Sequence, residues 1–255
     1  MLAAERRRLI AENIRAKGVV SVAEMADQLG TTEITVRRDL RSMDRDGLLV
    51  RTHGGAVLPA TTSHEPSYTE KAHQAAAEKA SIAQLALQMV RPGDSIVLGP
   101  GTTTQALARL LTHIPELTVV TNSLLVASAL MDAPRVEVIV TGGTLRRPIH
   151  ALVGPATEDS VRGLRASQAF ISGNGFTAAR GLSTPSQVVA ATDRAIAAAA
   201  QLVVVLADYT KIGRETMYQT VPAAKVQTLI TDSRAEPAEL DAIRATGVDV
   251  RVAGS

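Results

Sequence analysis

The sequence predicts an α/β protein in two parts: a small N-terminal unit of helices closed by a β-hairpin, then a larger domain built on a mostly parallel β-sheet. Residues 31–57 contain an amphipathic helix followed by two short strand-like runs. From Ser95 onward, seven short apolar runs alternate with helix-like segments, which is typical of a parallel sheet with helices on both faces. We therefore expect a first domain over residues 1–58, a linker over 59–70 and an α/β domain over 71–255.

Three helices are expected in the first domain. Residues 3–17 carry apolar side chains at helical spacing and end at Gly18, a good helix stop. Ser21 and Glu24 have the spacing of a capping box that begins a second helix. Residues 30–32, Gly-Thr-Thr, then supply a tight turn and a hydroxyl N-cap for the third.

The third helix has two distinct faces. Its narrow apolar face holds Val36, Leu40 and Met43 and should face the core. Its opposite face carries Ile34, Arg37, Arg38 and Arg41, with Thr35 at the edge. Such an arginine stripe indicates a large anionic partner. The alternative is a solvated helix face, with Asp39, Asp44 and Asp46 balancing the arginines.

A basic hairpin follows this helix directly. Residues 48–52 read as a strand, His53-Gly54-Gly55 as a turn that needs positive φ, and residues 56–58 as the return strand. A helix-turn-helix followed by a hairpin is typical of winged DNA-binding units. In these the second helix of the motif enters the major groove and flanking groups contact phosphates.

This helix and hairpin resemble the signature of the DeoR family of bacterial transcriptional regulators. The matching residues are 35–40, Thr-Val-Arg-Arg-Asp-Leu, followed by Gly47, Arg51 and residues 53–56, His-Gly-Gly-Ala. The resemblance covers about residues 5–57. It implies double-stranded operator DNA as a partner. We expect Thr35, Arg37 and Arg38 to face the groove, and Arg41, Arg51 and His53 to contact phosphates. The complete predicted DNA-binding surface is Thr32, Glu33, Thr35, Arg37, Arg38, Arg41, Arg51, His53 and Gly54.

Charge is distributed unevenly along the chain. Residues 1–57 hold ten Lys and Arg against eight Asp and Glu, and the remainder holds seventeen of each. The whole net charge of +2 therefore lies in the first domain. Because this bias is weak, tight DNA binding requires several subunits on one operator. We therefore expect a homo-oligomer, either a dimer or a tetramer.

Composition excludes several other classes of protein. No apolar run approaches the length of about 18 residues that a membrane span needs, and the N-terminus lacks the apolar segment of a secretion signal, so a cytoplasmic protein without membrane contact is expected. The absence of cysteine excludes disulfides and thiolate zinc sites. The five scattered histidines suggest no metal site, and no cofactor is expected. Because only 2% of residues are aromatic, base stacking on RNA or single strands is not the expected mode of binding.

In open α/β sheets, ligands bind beyond the carboxyl ends of the strands. The first strand ends in Gly99-Pro100-Gly101, and Thr102, Thr103 and Thr104 open the next helix. Glycines let the backbone approach a ligand, hydroxyls can donate, and the helix N-terminus favours an anion. This pattern predicts a phosphate site, although it matches neither the Walker A loop nor GxGxxG. The alternative is an ordinary glycine turn with threonine caps.

Three further strand ends offer polar groups. Thr121-Asn122-Ser123 follows the second strand and suits sugar hydroxyls, although a simple N-cap would look the same. Gly142-Gly143 follows the third strand, where the glycines could serve only a turn. Lys211 follows the fifth strand and could pair with an anion, although a lone lysine is usually solvated.

The larger domain also resembles the C-terminal domain of the DeoR family. The residues that carry this resemblance are Gly101-Thr102-Thr103-Thr104, residues 121–123, Gly142-Gly143, Phe170 with Gly173 and Gly175, and Lys211. That domain resembles the fold of ribose-5-phosphate isomerase and CoA transferase, and it senses phosphorylated sugars. The resemblance implies that the threonine loop holds the sugar phosphate and Lys211 approaches it. The predicted effector-binding residues are Gly101, Thr102, Thr103, Thr104, Thr121, Asn122, Ser123, Gly142, Gly143, Gly173 and Lys211. Gly99 and Ser167 stand where the family often has aspartate, which affects the identity of the ligand.

An isomerase-like enzyme is the rival class. Isomerisation requires a carboxylate base, and residues 167–180, which correspond to the acidic loop of the isomerase, contain no Asp or Glu. The next acid is Asp193, inside a helix. We therefore expect a regulator and not an enzyme: a repressor of a carbohydrate operon, controlled by a phosphorylated sugar or related metabolite. A third class, a DNA-architectural protein, would respond to no metabolite.

Overall fold

The computed structural model describes residues 2–45, 49–52, 54–57 and 65–254. The chain divides into two compact units, which are described separately. The N-terminal unit comprises residues 1–61, and the α/β unit comprises residues 62–255.

The described part of the N-terminal unit contains three helices and a small antiparallel sheet. The helices are α1 (Ala3–Lys17), α2 (Val22–Gln28) and α3 (Glu33–Arg45), and the strands are β1 (Val19–Ser21), β2 (Val50–Thr52) and β3 (Gly55–Val57). The strand order is β1-β3-β2, so β3 lies in the middle. This arrangement confirms the predicted helix-turn-helix and hairpin. The predicted strand ends at Leu48 and Leu58 lie outside the described residues.

The wing differs from the sequence prediction in two respects. Strand β1 was not predicted; it pairs with the return strand of the hairpin, with Ser21 opposite Gly55. The expected positive φ at the turn is wrong for Gly54 and Gly55, since neither has one, and His53 lies outside the described residues. Gly55 is instead required by close packing, because a Cβ there would lie 1.8 Å from the backbone oxygen of Val20.

The α/β unit is built on a seven-stranded parallel sheet of order β15-β14-β12-β9-β4-β5-β6. Its strands, with the shorter ones beside it, are β4 (Ser95–Leu98), β5 (Leu117–Thr121), β6 (Val136–Val140), β7 (Thr144–Arg146), β8 (Ala151–Val153), β9 (Ala166–Ile171), β10 (Gly175–Thr177), β11 (Gly181–Thr184), β12 (Ala200–Leu206), β13 (Tyr218–Val221), β14 (Thr228–Asp232) and β15 (Asp249–Ala253). All seven predicted apolar runs are strands of this sheet, which confirms the predicted fold class.

Helices cover both faces of the sheet. They are α4 (Tyr68–His73), α5 (Ala76–Leu87), α6 (Thr102–Leu110), α7 (Leu124–Leu130), α8 (Pro155–Val161), α9 (Gln187–Ala198) and α10 (Pro237–Arg244). Buried residues of α5, α6 and α7 pack with Ile96 and Leu98 on one face. Buried residues of α8, α9 and α10 pack with Val97 on the other. Alternate residues of one strand thus enter opposite cores, which explains its continuous apolar sequence.

Several short elements of the α/β unit were not predicted. Strands β7 and β8 form a hairpin, and β10, β11 and β13 form a second antiparallel sheet. Helix α4 begins at Tyr68, so residues 68–70, which the sequence prediction placed in the linker, are helical. Ser67 caps this helix in a capping box with Glu70. Among the described helices, none is long and apolar enough to cross a membrane.

Candidate nucleic-acid interface and ligand cavity

Helix α3 begins with the predicted hydroxyl cap. The backbone N–H of Thr35 donates to Oγ1 of Thr32 at 3.3 Å, and the two hydroxyl oxygens lie 3.0 Å apart. This bond satisfies one of the free N–H groups of the first turn. Both threonines and the neighbouring Glu33 therefore lie at the end of the helix that a winged unit inserts into the groove.

The arginine face of α3 is exposed to solvent. Arg37 is paired along the helix with Glu33, with 2.9 Å between Nη2 and Oε2. Arg38 and Arg41 are exposed, and neither forms an ion pair or hydrogen bond within the described parts of the chain. Arg51 on β2 is exposed as well. Gly54 is also exposed, whereas His53 lies outside the described residues.

Asp39 does not balance these arginines, contrary to the solvated-face alternative. It is buried, with 3% of its surface exposed, and it lies on the side of α3 that packs against α1. Its carboxylate accepts from Nε of Arg6 at 2.8 Å and Nε of Arg7 at 3.4 Å. The acid on α3 thus anchors the helix to α1, and the exposed guanidiniums of Arg38 and Arg41 remain available to an anionic partner.

A cavity lies in the α/β unit beyond the carboxyl ends of β4, β9 and β12. It encloses about 50 Å³. Five of the predicted effector-binding residues line it: Gly101, Thr102, Thr103, Gly173 and Lys211. The residues that line it without having been predicted are Glu65, Tyr68, Lys71, Lys79, Pro100, Ile149, Ser172, Asn174, Thr184, Val189, Asp193 and Asp208. A cavity at this edge of the sheet is the usual position of a ligand site.

The threonine loop enters the cavity at the N-terminus of α6. Thr102 and Thr103 line it, and neither hydroxyl has a hydrogen-bond partner among the described residues. Thr104 lies elsewhere: it is fully buried, and its hydroxyl donates to the carbonyl of Gly101 at 3.0 Å. Gly101 permits close packing, since a Cβ there would lie 3.1 Å from Cβ of Ser172. The loop thus presents free hydroxyl and N–H donors to an anion.

The polar residues after β5 form hydrogen bonds within the fold, except for the side-chain oxygen of Asn122, which is buried without a partner. Thr121 donates from Oγ1 to the carbonyl of Leu98 at 2.7 Å. The hydroxyl of Ser123 accepts from the N–H of Val126 at 3.3 Å and so caps α7. The side-chain amide of Asn122 donates to the carbonyl of Leu152 at 2.8 Å. The structure does not bring these side chains to the cavity, and it gives Ser123 the N-cap role that the sequence left open.

The glycines after β6 likewise form a turn away from the cavity. Gly143 has a φ of +131°, and a Cβ there would lie 2.1 Å from Oγ1 of Thr157. The same threonine donates to the carbonyl of Gly142 at 2.6 Å. Close packing against α8 therefore accounts for this glycine pair, and neither residue lines the cavity.

Three lysines surround the cavity, and they differ in their contacts. Nζ of Lys79 donates to the carbonyls of Lys71 and Gln74, at 2.5 Å each, and lies 4.0 Å from Oδ2 of Asp208. The side chains of Lys71 and Lys211 form no hydrogen bond with the described residues. Burial is the main cause that lowers the pKa of Lys71 to about 8, and the nearby charges of Lys211 and Lys79 lower it as well. The carboxylates of Glu65 and Asp193 have the opposite effect and raise this pKa. Burial also lowers the pKa of Lys211, which Asp208 raises.

Three carboxyl groups also line the cavity, and two of them have partners. Glu65 accepts from Nε of Arg146 at 2.8 Å. Asp208 accepts from the backbone N–H of Thr210 at 3.0 Å, and from its hydroxyl. Asp193 on α9 is the third. The sequence argument against catalysis relied on missing acids, and that part of it is wrong, because Asp193 and Asp208 both reach the site.

The cavity thus gathers polar groups that lack partners in the described structure: hydroxyls of Thr102, Thr103 and Ser172, and ammonium groups of Lys71 and Lys211. These groups border the cavity without being fully enclosed, so they can donate to a ligand that supplies acceptors. The helix N-terminus and the two ammonium groups favour an anion. A phosphate group meets both requirements.

Sequence reasoning missed the residues that come from helices. Tyr68 and Lys71 lie on α4, whose six residues are too few to show a helical period. Tyr68 donates to Oε1 of Gln105 at 2.9 Å, and its ring contacts that of His150 in a tilted arrangement with 5.3 Å between ring centroids. One signal was present in the sequence: Asp193 is an acid among alanines on an otherwise apolar helix face, where a charge requires an explanation.

Comparison with known proteins gives matches over both units. The family description "DeoR-like helix-turn-helix domain" matches residues 6–62, and "DeoR C terminal sensor domain" matches residues 74–233. The chain is 39% identical to the uncharacterized HTH-type transcriptional regulator YgbI of Escherichia coli (strain K12), over 91% of each protein. It is 31% identical to the lactose phosphotransferase system repressor of Lactococcus lactis subsp. lactis, over 93% of this chain and 94% of that protein. Among solved structures, ribose 5-phosphate isomerase A from Methanocaldococcus jannaschii aligns with 16% identity and a TM-score of 0.41, over 54% of this chain and 55% of that one.

Proposed function

The chain belongs to the DeoR family of DNA-binding transcriptional regulators, and from that premise we propose that it represses a carbohydrate operon until a phosphorylated sugar binds the cavity of its α/β unit. It is a regulator and not an enzyme. The observation that carries the proposal is the cavity itself, where unpartnered hydroxyls and ammonium groups surround the N-terminus of α6. The name of the lactococcal relative, a repressor of a sugar-uptake system, supports the sugar.

Binding of the effector has to change the cavity. Its volume of about 50 Å³ is far below the roughly 300 Å³ at which ligand pockets begin, so lining groups move when a sugar phosphate enters. Helix α4 is the element suited to move, because it has only six residues and the side chain of Lys71, which lines the cavity, forms no hydrogen bond with the described residues. It directly follows the segment that connects the two units in the sequence. We infer that movement of α4 is the route by which the effector weakens DNA binding, with a coupling of about 1–3 kcal/mol.

A single recognition helix reads one half-site, so tight and specific binding requires at least two copies on an operator. We therefore infer that the protein acts in the cytoplasm as a homo-oligomer, a dimer or a tetramer. Thr35, Arg37 and Arg38 would face the groove, while Arg41, Arg51 and His53 would contact phosphates.

Replacing Arg38 with alanine tests the groove assignment. We expect operator affinity to fall by about 1–3 kcal/mol, because an exposed guanidinium with no partner in the described part of the protein is removed from the interface. Gel shift with the promoter of the protein's own operon measures the effect. Arg162→Ala is the matched charge control. It removes an exposed arginine from the C-cap of helix α8 in the α/β unit. Unchanged affinity of Arg38→Ala would place the DNA surface elsewhere.

The double substitution Thr103→Val and Lys211→Ala tests the cavity. It removes one unpartnered hydroxyl and one unpartnered ammonium group, so it should abolish the rise in melting temperature and the release of DNA that sugar phosphates cause. The probes are ribose 5-phosphate, glucose 6-phosphate, fructose 1-phosphate and glycerol 3-phosphate. Thr112→Val with Lys225→Ala makes the same two changes away from the cavity. A full thermal shift in the cavity variant would show that the effector binds elsewhere.

A further inference from the structure

Asp193 is the acid of the cavity that the protein itself leaves without a hydrogen bond. It lies on α9 with 3% of its surface exposed, and neither carboxyl oxygen has a partner among the described residues. Glu65 and Asp208, the other two acids, are each held by protein donors. Neither oxygen is among the fully enclosed atoms without a partner, so both retain surface at the cavity and can accept a hydrogen bond from a ligand.

The surroundings of Asp193 show what kind of ligand group fits there. Burial raises the pKa of Asp193 to about 7, while Lys71 and Arg194 lower it and Glu65 raises it. When both side chains are ionised, the positive charge of Lys71 and the negative charge of Asp193 cancel. A second acidic group on the ligand would be repelled by Asp193. A neutral group that donates hydrogen bonds, such as an alcohol, would satisfy the carboxyl without adding charge.

Asn174 provides a second unpartnered group on the cavity wall. It is 8% exposed, and its side-chain oxygen accepts from Oγ1 of Thr184 at 3.4 Å. The amide nitrogen is buried and has no partner. Turning the amide over would exchange its nitrogen and oxygen, and one polar atom would still be left over. A hydroxyl can donate and accept, so a hydroxylated chain can satisfy both Asp193 and Asn174.

We propose that Asp193 determines the specificity of the cavity by accepting hydrogen bonds from hydroxyl groups of the effector, whose phosphate lies at the N-terminus of α6 beside Lys211. The ligand class is then a phosphate monoester with an uncharged, hydroxylated carbon chain. Inorganic phosphate and phosphorylated sugar acids are disfavoured. This inference rests on the proposed function and assigns the selective group of the same site.

The test compares ligands in wild type, Asp193→Asn and Asp193→Leu by calorimetry on the full chain. The probes are inorganic phosphate, ribose 5-phosphate, glucose 6-phosphate and 6-phosphogluconate. We expect wild type to prefer at least one of the two neutral sugar phosphates over both other probes. In Asp193→Leu, affinity for that sugar phosphate should fall at least about tenfold, the loss of a charge-assisted hydrogen bond. Affinity for inorganic phosphate should be equal or higher.

Stability provides a second readout that a purely structural acid would not give. A raised pKa in the folded state means that stability falls as pH rises from the unfolded value near 3.8 toward about 7, as the buried carboxyl loses its proton. Asp193→Asn should therefore melt a few degrees above wild type at pH 8 and level with it near pH 4. Lys71, Glu65 and Arg194 face this carboxyl and are retained in every variant. Asp241→Asn, an exposed acid on α10, is the control.

The outcomes separate this inference from the proposed function. If wild type binds none of the sugar phosphates, the proposed function fails and this inference fails with it. If wild type binds them and Asp193→Leu keeps the preference over inorganic phosphate, only this inference is overturned. An equal loss for all ligands, or a lower melting temperature of Asp193→Asn at pH 8, would make Asp193 a structural residue. Asp193→Asn alone decides the question if the leucine variant does not fold.

Discussion

A Gly55→Ala variant is expected to lose most of its DNA binding while its α/β unit melts and responds to sugar phosphates as in wild type. Gly55 lies on β3, the middle strand of the wing sheet, opposite Ser21 of β1. A Cβ there would lie 1.8 Å from the backbone oxygen of Val20 and 2.9 Å from its carbonyl carbon. Because backbone atoms cannot rotate away as a side chain can, the strands must separate, which costs about 3 kcal/mol or more.

This loss is large for the N-terminal unit. A unit of its size has a free energy of unfolding of roughly 3–9 kcal/mol, so the variant loses much or all of it. Thermal unfolding followed by circular dichroism and gel shift with the promoter of its own operon measure the effect. Gly54→Ala is the matched control for the melting curves, since a Cβ at Gly54 meets nothing within 4 Å and its φ is not positive. It is not a control for the gel shift, because Gly54 belongs to the predicted DNA-binding surface. Wild-type binding by Gly55→Ala would contradict the described packing of β1 on β3.

Gly55 also shows what a sequence cannot distinguish. Glycine occurs both where φ is positive and where another backbone comes close. The sequence shows a glycine in either case and does not distinguish the two reasons. The sequence prediction chose the first use for the glycines of the wing. The second applies to Gly55, because β1 occupies the space that a side chain would need. Only the pairing of β1, a strand of three residues, reveals this.

The main sheet was predictable for a physical reason. Strands of a parallel sheet are buried on both faces, so each appears as a continuous apolar run between helices. The antiparallel strands β7, β8, β10, β11 and β13 have three or four residues each and were missed. So few residues show no alternation that could be separated from a loop.

The cavity was only partly predictable from strand ends. All parallel strands end at the same edge, but the sheet is seven strands wide and the cavity lies over β4, β9 and β12 near its middle. Strands β5 and β6 are the two outermost on one side. Residues 121–123 and Gly142-Gly143, which follow them, are therefore displaced from it. The prediction assumed that every polar strand end takes part, and sequence alone does not give the strand order.

Helices contribute further residues of the site across long stretches of sequence. Lys71 and Asp193 are 122 positions apart in the chain, yet each shifts the pKa of the other at the cavity. No local motif joins them, since α4 and α9 lie far apart in the sequence and supply two lining residues each. Motif reasoning finds loops such as residues 101–104, where neighbouring residues act together. It does not find a wall assembled from separate elements.

An Asp39→Ala variant is expected to lose about 2–3 kcal/mol of stability in the N-terminal unit, because it removes a buried carboxylate that pairs with two guanidinium groups of α1. The Asp39 side chain is 4% exposed and that of Arg6 is 15% exposed, with 2.8 Å between Oδ2 and Nε. Arg7, at 40% exposure, is largely solvated and adds less. The loss therefore comes mainly from the contact between α1 and α3 at Arg6.

The same variant should bind the operator more weakly, and this result separates structure from charge. Removing an acid makes the unit more positive, which by itself strengthens binding to DNA. Asp44→Ala makes the same change of charge on an exposed part of α3 and should bind equally or more tightly. Gel shifts of both variants at matched salt, with melting curves, measure the difference. If Asp39→Ala bound DNA as tightly as Asp44→Ala, anchoring of α3 to α1 would not be required to position the recognition helix. A loss confined to Asp39→Ala, at a temperature where the melting curves show the variant folded, comes from the position of α3, because the electrostatic effect has the opposite sign.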